Sequence, residues 1–136
     1  MSAIAVRHVE GDRFDITVRE HTFSVDQPVS DGGTDTAPTP TELFVASLTS
    51  CVAFYARRYL ARHNLPTEGL AVTAHYAMGN QPARVSEITV DIDLPDGVPA
   101  ERRAALLAVA SHCTVHNTLE NAPAVTVDLR AEVPAA

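Results

Sequence analysis

The sequence predicts an α+β fold, and three observations carry that reading. Short runs alternate apolar and polar residues, which is the period of a half-buried strand. Longer runs repeat apolar residues at three and four, which is the period of a helix face. The two kinds occur in the order β-β-β-α-β-β-α-α-β. Strands followed by strands build antiparallel sheets, so this order excludes a doubly wound α/β fold.

Residues 3–9 carry Ile4, Val6 and Val9, and residues 13–19 alternate Phe14, Ile16 and Val18, with Gly11-Asp12 as the turn between them. His21 to Val25 is a third short strand, stopped by Asp26-Gln27-Pro28. Residues 29–41 hold Gly32-Gly33, Pro38 and Pro40 and read as a loop, either a surface connection or the rim of a site. A long helix then begins. Thr39 and Glu42 have the spacing of a capping box, and Pro40 occupies the first helical position. Phe44, Leu48, Cys51/Val52, Tyr55 and Tyr59 form its apolar stripe, while Arg57, Arg58 and Arg62 read as a solvated face or a subunit contact. Leu70 to Met78 and Val85 to Leu94 alternate as the two strands of a hairpin. Pro99 to His112 reads as a second amphipathic helix, Thr114 to Asn121 as a short third with Cys113 or Thr114 at its N-cap, and Ala124 to Val133 as a last strand.

A chain of 136 residues with 46% hydrophobic content suffices for one domain, and 1–136 is read as such. Only 5% is aromatic and Trp is absent, so Ala, Val, Leu and Ile must build the core. The formal charge of −7 argues against nucleic acid and against anionic membranes, both of which call for basic surfaces. No signal peptide is visible at Met1–His8, and no apolar run reaches the ~20 residues of a membrane span. A cytoplasmic location is the expectation, where a disulfide is transient and catalytic rather than structural.

Cys51 and Cys113 are the two cysteines, each in a mostly apolar helical segment. Free cysteine often fills space in a core. The alternative is a redox pair joined by the fold: a thiolate attacks a peroxide, and a second thiol captures the sulfenic acid. His112-Cys113-x-x-His116 also has the spacing of metal ligands on a helix, but a closed site needs a fourth ligand, which Cys51 or His63 could supply only by folding.

The segments Thr39–Ala53 and Ala110–Leu119 resemble the two cysteine motifs of the OsmC/Ohr family, in which Pro, an acidic residue and Leu lead through small residues into the first Cys. In the second motif Cys is usually followed by Pro-Val, whereas here Thr114-Val115 follows Cys113. The resemblance covers nearly the whole chain and is closer to the broad OsmC-like branch than to the organic hydroperoxide resistance branch. It implies an OsmC-like fold with two antiparallel sheet regions around a long central cysteine-bearing helix, as an intertwined homodimer. It implies a thiol peroxidase that reduces organic hydroperoxides with a dithiol or lipoyl-type reductant, and no metal or cofactor. Cys51 would be peroxidatic and Cys113 resolving. An Arg from the N-terminal strands would hold the thiolate, and a Glu near the start of the cysteine helix would orient that Arg. For the Arg, Arg13 comes first and Arg19 second, with Arg7 on a flanking strand. Thr41 occupies the family's usual Glu position, so Glu42 either fills that role one residue away or serves as a helix cap. A non-enzymatic dimeric binder of a small apolar ligand is the alternative function, with the geometry of Arg, Cys and Glu as discriminator.

Overall fold

The computed structural model describes residues 2–130. Three strands come first: β1 (Ala5–Glu10), β2 (Arg13–Val18) and β3 (His21–Val25), antiparallel in the order β1-β2-β3. Ile16 pairs with both Val6 and Phe23, and Phe14 with both His8 and Val25. Alternation therefore puts these residues on one face, and Arg13, Asp15 and Ser24 on the other. No helix of the same chain packs broadly on this sheet, and Val6 and Phe23 stay 59% and 43% exposed.

The chain leaves β3 through the loop read as a possible site rim. Asp26, only 1% exposed, organises it. Its carboxylate accepts hydrogen bonds from the Gln27 N–H at 2.7 Å, the Thr34 hydroxyl at 2.9 Å, and the Thr36 N–H and hydroxyl at 3.0 and 2.7 Å. The Asp26 N–H in turn donates to the Pro38 carbonyl at 3.1 Å. The bonds from Thr36, ahead of those from Gln27 and Thr34, hold the Asp26 carboxyl well below the usual carboxylate range. Gly33 is required here, because a Cβ would collide with the Gln27 carbonyl.

The loop delivers the chain into α1 (Pro40–Arg62). Thr39 is its N-cap: the Thr39 hydroxyl accepts the Glu42 N–H at 3.1 Å, and the Glu42 carboxylate accepts the Thr39 N–H at 2.8 Å. The capping box read from the sequence is thus fully formed, and such caps contribute about 1 kcal/mol. Leu48, Val52, Ala56, Tyr59 and Leu60 face inward. The hairpin β4 (Ala71–Gly79) and β5 (Arg84–Asp93) packs against α1, with Val72, Ile88, Val90 and Ile92 meeting that stripe.

The second helix differs from the expectation. Residues 100–102 form a 3-10 turn, and α2 (Arg103–Ala110) is shorter than the apolar pattern suggested. It closes at Ser111, leaving Cys113 extended as the N-cap of α3 (Thr114–Glu120). Leu106, Ala110 and Cys113 complete the core with Val98.

The last strand is corrected. Residues 124–130 form no strand, and residues 131–133 of the expected element lie outside the described residues. The alternation is real, but Val125 and Leu129 are 78% and 97% exposed. A strand exists only with a ladder partner, and among the described residues no other strand lies alongside this segment.

Candidate functional site

The two cysteines meet where α1 passes the start of α3. Cys51 is half-buried on α1 and packs against the core cluster that contains Cys113. Cys51 lies close enough to Cys113 to affect its titration. Both are free thiols. Cys113 is 0% exposed, and its Sγ accepts the His116 N–H at 3.4 Å, the sulfur acting as helix cap. Burial pushes the Cys113 thiol up, the neighbouring Cys51 adds to this, and the His116 N–H pulls the other way. At neutral pH Cys113 is therefore a protonated thiol. The Tyr55 hydroxyl hydrogen-bonds the Thr114 hydroxyl at 2.8 Å and ties α1 to α3 one turn beyond Cys51.

Arg13 sits on the polar face of the three-stranded sheet. Its Nη2 donates to the Ser24 hydroxyl at 3.5 Å and lies 3.9 Å from the Asp15 carboxylate, and its Nε is buried without a partner. Arg19 forms the β2–β3 turn at φ 53°, and Arg7 lies on β1 opposite Asp15. Glu42 caps α1 and lines a groove of about 480 Å³ between α1 and β4. At about 100° per residue, Glu42 and Cys51 point to opposite sides of the helix. Among the described residues, none of Arg13, Arg19, Arg7 and Glu42 hydrogen-bonds Cys51.

The histidines of the metal-like spacing have other partners. The His112 Nδ1–H donates to the Ala108 carbonyl at 2.7 Å, and the His116 ring meets Glu120 at 3.3 Å. Among the described residues, no group of three or more His, Cys, Asp or Glu side chains is placed to hold a metal ion. Apolar space lies nearby instead. A cavity of about 200 Å³ is walled by Leu48, Val52, Val90, Ile92 and Leu107, and a neighbouring groove of about 290 Å³ adds Phe44 and Leu119. Leu48, Ile88 and His116 line both.

Sequence reasoning missed two residues. Tyr55 read as part of the apolar stripe and wall around Cys51, because a helical period does not show that its hydroxyl finds a partner. Asp26 read as a strand stop, with Thr34 and Thr36 as the only signal of a carboxylate clasp.

The family model for OsmC-like proteins matches residues 33–128, a span that includes both cysteines and the helices that hold them. The chain belongs to the OsmC-like protein family. Its fold is shared by solved OsmC-like structures. A protein of Psychrobacter arcticus, described as a candidate osmotic stress induced and detoxification response protein, superposes with a TM-score of 0.80 at 22% identity, covering 87% of this chain and 88% of that one. The organic hydroperoxide resistance protein OsmC of Legionella pneumophila gives 0.64 at 18%, covering 88% of each chain. The organic hydroperoxide resistance protein OhrB of Bacillus subtilis gives 0.64 at 15%, covering 90% and 92%. A search of curated protein sequences found no match. This OsmC-like chain has, among its described residues, no helix long and apolar enough to cross a membrane.

The geometry separates the two thiols of this OsmC-like chain chemically. With limiting iodoacetamide on the folded protein, fast alkylation is expected at Cys51 alone, and Cys113 is expected to react only after unfolding. Peptide mass mapping of the label checks this. Equal labelling of both thiols would contradict the buried, protonated state of Cys113.

Proposed function

We propose that the chain is a cysteine-dependent peroxidase that reduces organic hydroperoxides to alcohols in the cytoplasm. The supporting observation is that Cys51, half-buried, packs against the core cluster that holds the buried Cys113. Two solved relatives named as organic hydroperoxide resistance proteins support the substrate class.

The Cys51 thiolate attacks one peroxide oxygen, the O–O bond breaks, and the alkoxide leaves with a proton as the alcohol. Cys51 is now a sulfenic acid. The Cys113 thiol attacks its sulfur, releasing water and forming the Cys51–Cys113 disulfide. A dithiol or lipoyl-type reductant restores both thiols and is itself oxidised to a disulfide. A raised thiol suits Cys113 to the second step, since it does not compete with Cys51 for peroxide.

Arg13 is assigned to hold the Cys51 thiolate across a subunit contact, because its own sheet stands apart from its own cysteines. Glu42 is assigned the cap of α1 alone, because it points to the side of that helix opposite Cys51. The assembly is a homodimer in which a second copy covers the exposed apolar face of β1–β3. Sedimentation at micromolar concentration is expected to give twice the 14.5 kDa chain mass. A monomer would remove this part of the reading.

A dimeric binder of a small apolar ligand is the second reading. One observation favours it: within one chain no arginine is hydrogen-bonded to Cys51. Consumption of cumene hydroperoxide with a dithiol decides between them. The apolar walls at Phe44, Leu48 and Val52 set the expected preference. Burial of ~100 Å² of an aryl tail contributes about 2–3 kcal/mol, so kcat/KM for cumene hydroperoxide is expected to exceed that for hydrogen peroxide on the order of 100-fold. Absence of turnover selects the binder, and equal efficiency for both peroxides removes the apolar pocket from the mechanism.

A further inference from the structure

A groove of about 440 Å³ runs between α1 and the end of α2, outside the cysteine site. Tyr55, Arg58, Tyr59 and Arg62 supply its α1 wall at the spacing of one helix face, His63 extends it, and Val109 and His112 close the other side. Among the described residues, no carboxylate lines it. That is notable in a chain with 17 acidic residues against 10 basic, where a guanidinium should readily find a neighbour of opposite charge.

Among the described residues, neither arginine has an ion-pair partner. The ion pairs among the described residues join Arg13 to Asp15 and His116 to Glu120. Arg58 is held by stacking instead: its guanidinium carbon lies 5.5 Å from the Phe54 ring centre and 5.1 Å from that of Tyr55. Such cation–π contacts steady a guanidinium without using its N–H donors, which remain for an acceptor. A third guanidinium borders the groove, since Arg102 donates to His63 Nδ1 at 3.2 Å. That bond makes Nδ1 an acceptor and puts the proton of neutral His63 on Nε2. The Tyr59 and His63 rings lie 4.3 Å apart between centres and stiffen the same wall.

We infer that this groove binds an amphipathic oxyanion, an alkyl or aryl carboxylate or phosphate monoester, with its charged head on Arg58 and Arg62 and its apolar body against Tyr55, Tyr59 and Val109. The volume lies within the range of small-molecule sites. Two guanidinium groups one turn apart, one of them steadied by aromatic rings, match the paired oxygens of a carboxylate or phosphate. The inference is independent of the peroxidase reading, because neither cysteine lines the groove.

Calorimetric titration of the full chain with octanoate, octyl phosphate, octanol and inorganic phosphate tests it. Both octyl anions are expected to bind at one site per chain, and the tighter of the two identifies the headgroup. Octanol, which has the tail without the charge, is expected to bind at least ten-fold more weakly. Arg58→Gln/Arg62→Gln is expected to weaken the octyl anions at least ten-fold, and 0.5 M salt to weaken them several-fold. Arg62 is exposed and unstacked, so Arg62→Gln alone, with a several-fold loss expected, carries the test if the double variant misfolds. Binding is expected to persist in Cys51→Ser. No binding of either octyl anion, equal binding of octanol, or affinity unchanged in the arginine variants would overturn the inference. Inorganic phosphate binding as tightly as octyl phosphate would overturn its apolar half.

Discussion

Cys51→Ser is expected to reduce the consumption of cumene hydroperoxide to the uncatalysed background at any dithiol concentration. A serine hydroxyl stays protonated at neutral pH and cannot become a sulfenate, so both the attack and the intermediate are lost. Cys113→Ser is expected to behave differently. The first attack remains, and each chain reduces one equivalent of peroxide in a burst before stalling as the Cys51 sulfenic acid, which dimedone traps. Slow turnover then depends on direct attack by the external dithiol. Stopped-flow kinetics and mass spectrometry of the trapped protein separate the two variants. Peroxidase activity retained by Cys51→Ser would end the peroxidase reading. A Cys113→Ser chain turning over at the wild-type rate would leave Cys51 as the nucleophile and remove only the resolving role.

Asp26→Ala is expected to be the most destabilising single change outside the hydrophobic core. Asp26 accepts four hydrogen bonds from three residues and is almost completely buried, so its loss strands the Gln27 and Thr36 N–H groups and two hydroxyls. The loop leads directly into the Thr39 cap, so the start of α1 loosens with it. The urea midpoint reports this. Asp26→Asn keeps the shape and removes the charge, and its effect carries a pH signature. The folded carboxyl titrates below its unfolded value, so the charged form contributes stability above the usual carboxylate pKa of about 3.9. That contribution is lost as pH falls from there toward the folded value. The gap in urea midpoint between wild type and Asp26→Asn is therefore expected to be full at pH 7 and to narrow below about pH 4. A gap independent of pH would show that the charge of Asp26 does not matter.

Local signals made most of the fold legible in advance. Thr39, Pro40 and Glu42 marked the start of α1, because a capping box is a contact between residues three apart and needs nothing beyond them. The β4–β5 hairpin followed from alternation and a short turn, both likewise local. The failures share a cause, which is dependence on partners distant in sequence. Residues 124–130 alternate well, but a strand needs a neighbour that the sequence does not specify. The second helix was overextended because the apolar period continues to Cys113, while the chain turns at Ser111 to place that sulfur on the amides of α3. The meeting of Cys51 and Cys113 entered through family resemblance, since spacing alone did not require it. Arg13 and Glu42 illustrate the opposite limit: the sequence located both residues, but their reach depends on how sheets and subunits pack.

The three-stranded sheet carries a last consequence. On its apolar face, with Val6, Phe14 and Phe23, no helix packs broadly among the described residues, so intramolecular packing contributes little to holding it shut. If a second copy supplies the cover, folding and association become one equilibrium. Mass action then governs the outcome: dilution alone would melt β1–β3 first, and the midpoint of thermal unfolding would climb with protein concentration. A cell that makes more of this chain would also make each copy more durable.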